Sequence, residues 1–162
     1  MIKMKPIDTE NESFRLGSMK KYSKVKRVLF ALVQCTWALP QTLIGLGFFI
    51  ANRKHKHSMY HGSIDTRWNY HGGLSLGLFI FTPPDGQENA PLIRVHEYGH
   101  CVQSLVLGPL MLFIGVISAL WGDLPYFSKL RKEKHLPYTA CFVEAWASRW
   151  GEMATGEKAI WE

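Results

Sequence analysis

Residues 90 to 110 read Ala-Pro-Leu-Ile-Arg-Val-His-Glu-Tyr-Gly-His-Cys-Val-Gln-Ser-Leu-Val-Leu-Gly-Pro-Leu, and this stretch sets the expected architecture. Asn89 is a capping residue type, Pro91 is tolerated in a first turn, and no further breaker appears before Gly108-Pro109. A helix is therefore expected from the Asn89 cap through Arg94 to at least Leu107. At about 100° per residue, His96 and His100 leave one face a turn apart, where two imidazoles can bind a single metal ion. Glu97 lies about 60° round from His100. That flank suits it poorly as a ligand to the same ion and well as a base toward zinc-bound water. Gln103 and Leu107 continue the histidine face, and Gly99 leaves room for another backbone to approach.

Two imidazoles leave a catalytic zinc short of the three protein ligands it usually takes. Among the later carboxylates, Asp123 closes an apolar run, Glu133 sits among lysines, and Glu152, Glu157 and Glu162 lie in a polar tail. Glu144 alone is embedded in an apolar, helix-compatible stretch, Phe142-Val143-Glu144-Ala145-Trp146-Ala147. It is the expected third ligand, with Asp123 as its competitor. One zinc ion per chain is the expected cofactor. His55, His57, His61, His71 and His135 are weaker candidates as donors. Cys35, Cys101 and Cys141 are odd in number and lack any CxxC spacing, so neither a disulfide framework nor a thiolate zinc site is indicated.

The 162 residues allow one domain. Apolar residues are 47% of the chain, an ordinary share, yet they gather into two blocks bordered by the charges. Residues 1 to 27 form a basic tail, and residues 28 to 162 are expected to form a single domain. The run Val28 to Ala51 carries no formal charge and, as a helix of about 24 residues, is long enough to cross a hydrocarbon core of about 30 Å. A transmembrane helix is expected there. Gln34, Thr36, Pro40, Gln41 and Thr42 within it are expensive against lipid, so they are expected to face protein or a wet cavity.

Leu74 to Phe81 reads as a short strand, and residues 90 to 121 as the motif helix followed by a second apolar segment that spans or re-enters. Residues 138 to 150 read as a last helix bearing Glu144. The expected fold is thus mainly α, membrane-embedded through one or two spans, with a short β element before the motif helix. Lys and Arg number six in the 15 residues before Val28 against three after Ala51, and one before Leu105 against four after Trp121. Both termini are expected on the cytoplasmic side of a bacterial membrane, as an integral membrane protein. The net charge of +6 sits beside the apolar blocks, which points to anionic lipid and away from nucleic acid.

The segment His96-Glu97-Tyr98-Gly99-His100-Cys101-Val102-Gln103-Ser104, with Leu107-Gly108-Pro109-Leu110 and later Glu144-Ala145-Trp146-Ala147, resembles the zincin metallopeptidases of gluzincin type. It is more closely similar to small bacterial membrane proteins that carry the same motif. The resemblance covers roughly residues 73 to 150. It implies a zinc-dependent endopeptidase in which His96, His100 and Glu144 bind zinc and Glu97 is the general base, with a peptide or membrane protein as substrate. Where many gluzincins have an Asp four residues after the ligand Glu, this chain has Ser148. Tyr138 and His135, close to Glu144 in sequence, are the candidates for assisting the oxyanion. The reading from another class is a catalytically silent membrane scaffold with a structural metal or none.

Overall fold

The computed structural model describes residues 24–161, so the tail up to Ser23 lies outside the described residues. Its elements in chain order are α1 (Lys24–Thr36), α2 (Leu39–Ala51), β1 (His57–Tyr60), β2 (Ser63–Arg67), β3 (Leu74–Leu76), β4 (Phe79–Thr82), α3 (Ala90–Leu107), α4 (Met111–Asp123), α5 (Pro125–Lys134) and α6 (Phe142–Thr155). The protein is mainly helical, as expected, but its β part is a four-stranded mixed sheet and not a single short strand.

The expected continuous helix over 28–51 is instead α1 and α2, bent by 99° at Trp37-Ala38. Pro40 explains the restart, because it has no N–H to donate and is accommodated only in the first turn of α2. At 1.5 Å per residue each helix is about 20 Å long, short of a hydrocarbon core. Three of the polar residues in this run face protein as expected. Gln34 Nε2 donates to Cys101 O at 2.9 Å, Gln41 Nε2 to Gly108 O at 2.8 Å, and Thr42 Oγ1 to Gln34 O at 2.8 Å. Thr36 is exposed and bonds back to Leu32 O. These buried amides tie α1 and the start of α2 to α3, where losing a partner would leave a desolvated polar group.

The sheet order is β1-β2-β4-β3, with β2 and β4 parallel and the outer pairs antiparallel. The apolar run Leu74 to Phe81 is a hairpin, not one strand, because it reverses at Gly77-Leu78. Gly77 has φ +62°, and a β-carbon there would fall 2.1 Å from Thr42 Oγ1, so glycine is required on both counts. All four residues of β4 are buried. They read as an unbroken apolar run because α2 covers one face, through Phe48 on Phe81 and Phe49 on Phe79, while Ile80 joins Val95 and Tyr98 of α3 on the other.

Asn89 stands at the start of α3 with Pro91 in the first turn, but its side chain makes no capping bond. The helix runs to Leu107 and meets Gly108, at φ +53°, then a 3-10 turn over Gly108–Leu110. By length and composition the helical stretch Ala90–Asp123 is long and apolar enough to cross a membrane. It is not one straight rod. Straight geometry would put Ser118 about 27 Å beyond His100, whereas Ser118, His96, His100 and Glu144 line one cleft and Ser118 Oγ lies 3.2 Å from Tyr138 Oη. The chain turns back at Gly108-Pro109, and α4 returns toward the level of the histidines. α5 was not anticipated and carries the basic cluster Lys129, Arg131, Lys132 and Lys134. The last helix begins at Phe142 and not Tyr138, which lies in a 3-10 turn, and extends beyond Trp150 to Thr155.

Candidate metal centre

The site forms where α6 crosses α3 at near backbone contact. A β-carbon on Gly99 would lie 1.8 Å from Ala147 O, and one on Gly151 would lie 2.2 Å from Val95 O. Two glycines on facing helices therefore permit a separation that any side chain would forbid. The crossing aims Glu144 and Ser148, one turn apart on α6, at the His96–His100 face of α3. All four are buried.

His96 Nε2 lies 3.0 Å and His100 Nε2 3.4 Å from Glu144 Oε2. The three ligand atoms lie within 4.8 Å of one another, and the imidazoles stand nearly perpendicular at 89°. The outward nitrogens decide the tautomers. Ser148 Oγ donates to Ile160 O and so accepts from His96 Nδ1 at 2.9 Å. Gln103 Nε2 donates to Val143 O at 3.0 Å, which turns its Oε1 to accept from His100 Nδ1 at 2.7 Å. With both Nδ1 atoms carrying their protons, each neutral ring presents a lone pair on Nε2 toward a carboxylate oxygen. Three acceptors converging in a buried space repel unless a proton or a cation lies among them. Glu144 Oε1 is also buried, without a hydrogen-bond partner among the described residues.

The spacing fits a metal. Ligand atoms about 2.0 to 2.2 Å from a tetrahedral zinc stand about 3.3 to 3.6 Å apart; the two contacts to Glu144 are 3.0 and 3.4 Å, and all three atoms lie within 4.8 Å. His96, His100 and Glu144 could thus hold a metal ion. Burial pushes the Glu144 carboxyl up, but with no ion between the three groups, imidazoles that carry a proton on Nε2 donate to it and hold it below the usual carboxylate range.

The remaining expected residues divide cleanly. Glu97 and Tyr138 line the same cleft, of about 560 Å³, as His96, His100 and Glu144. Glu97 packs against the backbone before β3, where a β-carbon on Gly73 would fall 2.3 Å from Glu97 Oε1. Burial and the nearby Glu144 charge push the Tyr138 phenol up to about 12, so it stays a proton donor across the physiological range. Asp123 lines the cleft but is outside the metal-ligating group, and Cys141 is too. His135 ends α5 exposed, with φ +50°, and does not line the cleft.

Sequence reasoning missed the two supports of the imidazoles. Ser148, noted only as standing where an Asp was expected, holds His96, and Gln103, noted only for its face, holds His100. It also missed Arg131, which enters the cleft by donating to Trp121 O and Gly122 O, with its guanidinium over the Trp121 and Tyr138 rings. Set against known proteins, the chain matches no family model, no curated protein and no solved structure.

Proposed function

We propose that this protein is a zinc-dependent endopeptidase of the zincin kind acting at or in a membrane, with a peptide or a membrane protein as substrate. The observation that carries the reading is the convergence of His96 Nε2, His100 Nε2 and Glu144 Oε2 on one point, with Glu97 in the same cleft. His96, His100 and Glu144 would hold the zinc, which would supply Lewis-acid polarisation and make water in the cleft acidic enough to lose a proton near neutral pH. Glu97, on the flank of the ligand face, takes the proton from the attacking water and passes it to the leaving amine. The protonated Tyr138 phenol donates to the oxygen that gains charge at the scissile carbonyl. Ser148 and Gln103 keep the imidazoles in the tautomer that leaves Nε2 free to bind.

β3 is the end strand of the sheet, and residues 72–75 border the cleft beside Glu97. An extended peptide laid along that border runs past the base and the ligands together. The small residues Gly115, Ser118, Ala119 and Gly122 of α4 form the opposite wall and leave it room.

The test is metal content paired with turnover. Purified protein should hold about one zinc per chain and cleave unstructured peptides, and His96→Ala or His100→Ala should lose the zinc. Glu97→Gln should keep the zinc and lose cleavage by about 10²-fold or more, because it removes the base and not a ligand. A Glu97→Gln protein as active as its parent overturns the peptidase reading, and a metal-bound parent that cleaves nothing favours the scaffold.

A further inference from the structure

We propose that the protein enters an anionic membrane from one face only. Both apolar blocks would then dip into the bilayer and return, so that every charged station lies on the same side. The inference deepens the membrane part of the reading above and is independent of zinc and catalysis.

If residues 28–51 crossed the bilayer, Arg27 and Lys56 would face opposite waters across a core of about 30 Å. Yet Arg27 packs on the β1–β2 turn, its Cα 3.6 Å from where a β-carbon on Gly62 would stand. Gly62 is six residues after Lys56, and six extended residues reach about 20 Å at most. The two ends share a side.

The second block gives the same answer. Lys56 Nζ and Arg67 Nε reach Asp85 at 2.6 and 2.9 Å, which places the approach to α3 beside the exit from α2. At the far end of the block, α4 has turned back. Gly122, Asp123 and Arg131 line the cleft that Gly72, Gly73 and Ile93 also line, so α5 and its basic cluster lie near the start of α3.

The opposite pole is apolar. The corner between α1 and α2 meets the turn between α3 and α4, where the Trp37 ring fills the space a β-carbon on Gly108 would need, 2.3 Å away. Trp37, Val106, Leu110 and Phe113, at or near this junction, are exposed. The Gly108 carbonyl accepts from Gln41 Nε2, so this backbone oxygen already has the partner that hydrocarbon would not offer. The basic stations at Lys24 to Arg27, at Arg53 and Lys54, and at Lys129, Lys132 and Lys134 match anionic headgroups, while the pole matches acyl chains.

Sidedness of labelling tests this in sealed vesicles of zwitterionic and anionic phospholipid and in cells. Cys35 and Cys141 are changed to Ser and the buried Cys101 is kept. Lys24→Cys, Lys54→Cys, Lys132→Cys and Leu110→Cys are then made singly, and an unchanged circular-dichroism spectrum and Tm serve as the check on folding. With a membrane-impermeant maleimide, the three lysine positions should all react from one face and none from the other. Leu110→Cys should react from neither face, and a fluorophore placed there should be quenched by lipids carrying a spin label on the acyl chain. Lys24→Cys and Lys54→Cys reacting from opposite faces overturns the proposal, as does Leu110→Cys reacting from either face. Recovery of the parent in the soluble fraction removes the membrane altogether. Absence of peptidase activity leaves the labelling result standing, so the two readings fail separately.

Discussion

Gly99 and Ala147 are in backbone contact across the α3–α6 crossing, so close that a β-carbon at 99 would sit 1.8 Å from the Ala147 carbonyl oxygen. The convergence of His96, His100 and Glu144 depends on this contact. Glu144 reaches the histidines only because α6 lies against α3 with nothing between them.

Gly99→Ala is therefore expected to destabilise the protein and weaken metal binding together. On an exposed helix the change would gain about 1 kcal/mol from propensity, but here the clash is with backbone and costs about 1 to 3 kcal/mol or more. Thermal unfolding and zinc titration on the same samples check it. A Gly99→Ala protein that is more stable and binds zinc as before would mean that the crossing is looser than described. Gly151→Ala, which meets Val95 O at 2.2 Å, should behave likewise.

The imidazole supports should be separable from the ligands. Ser148→Ala leaves His96 Nδ1 without its acceptor, and Gln103→Ala does the same to His100. Each should weaken zinc by about 10- to 100-fold without abolishing it, read by competition with a chelator of known affinity. Loss equal to that of His96→Ala would show that the helix packing had failed, since a support only orients its ligand.

Some of this was legible in the sequence and some was not, for reasons that differ by residue. His96, Glu97 and His100 declare themselves because helical periodicity alone places them. Glu144 was legible by its neighbours, since a carboxylate among Phe142, Val143, Ala145 and Trp146 costs too much to bury without a partner. Gln34, Gln41 and Thr42 pointed inward for the same reason. The break at Trp37-Ala38 was not read, although Pro40 marks it, because length and absence of charge look the same for one span and for two helices meeting at a corner. β1 and β2 were missed because they are short and polar, and what orders them is pairing, β1 with β2 and β2 with β4. The hairpin at Gly77 hid inside an apolar run whose two halves are both buried. Ser148 was visible only as a departure from a pattern, since nothing in a sequence shows that a hydroxyl anchored to Ile160 O can orient an imidazole.

An ion bound by His96, His100 and Glu144 would brace the crossing, so its removal should loosen it. A ion that binds only the folded protein adds about 2.7 kcal/mol at a hundredfold excess over its Kd. At this chain length each kcal/mol is worth about 2 to 4 °C in Tm. Chelation should thus lower Tm by several degrees and re-addition of zinc should restore it, whereas Glu144→Ala should start low and respond weakly to either treatment. A parent whose Tm ignores both chelator and zinc would show that the three side chains hold no ion in solution.

Tyr138 gives the sharpest separation of chemistry from structure. Its phenol oxygen lies 3.2 Å from Ser118 Oγ, and its ring packs beside Gly122 and beneath the Arg131 guanidinium, 5.5 Å from the ring centre. Tyr138→Phe keeps the ring in all of these contacts and removes only the hydroxyl. Zinc content and Tm should therefore change little, because no ligand or support is touched and Ser118 can turn to another acceptor. If the phenol donates to the oxyanion, it does so chiefly as charge develops, so kcat should fall by about 10- to 1000-fold while KM stays near its parent value. Tyr138→Ala should add a structural penalty, because it empties the space under Arg131 and frees the end of α4. The outcome that sinks the assignment is a Tyr138→Phe enzyme with parental kcat. A rise in KM alone would instead make Tyr138 a substrate-positioning residue, with the oxyanion stabilised by the metal alone.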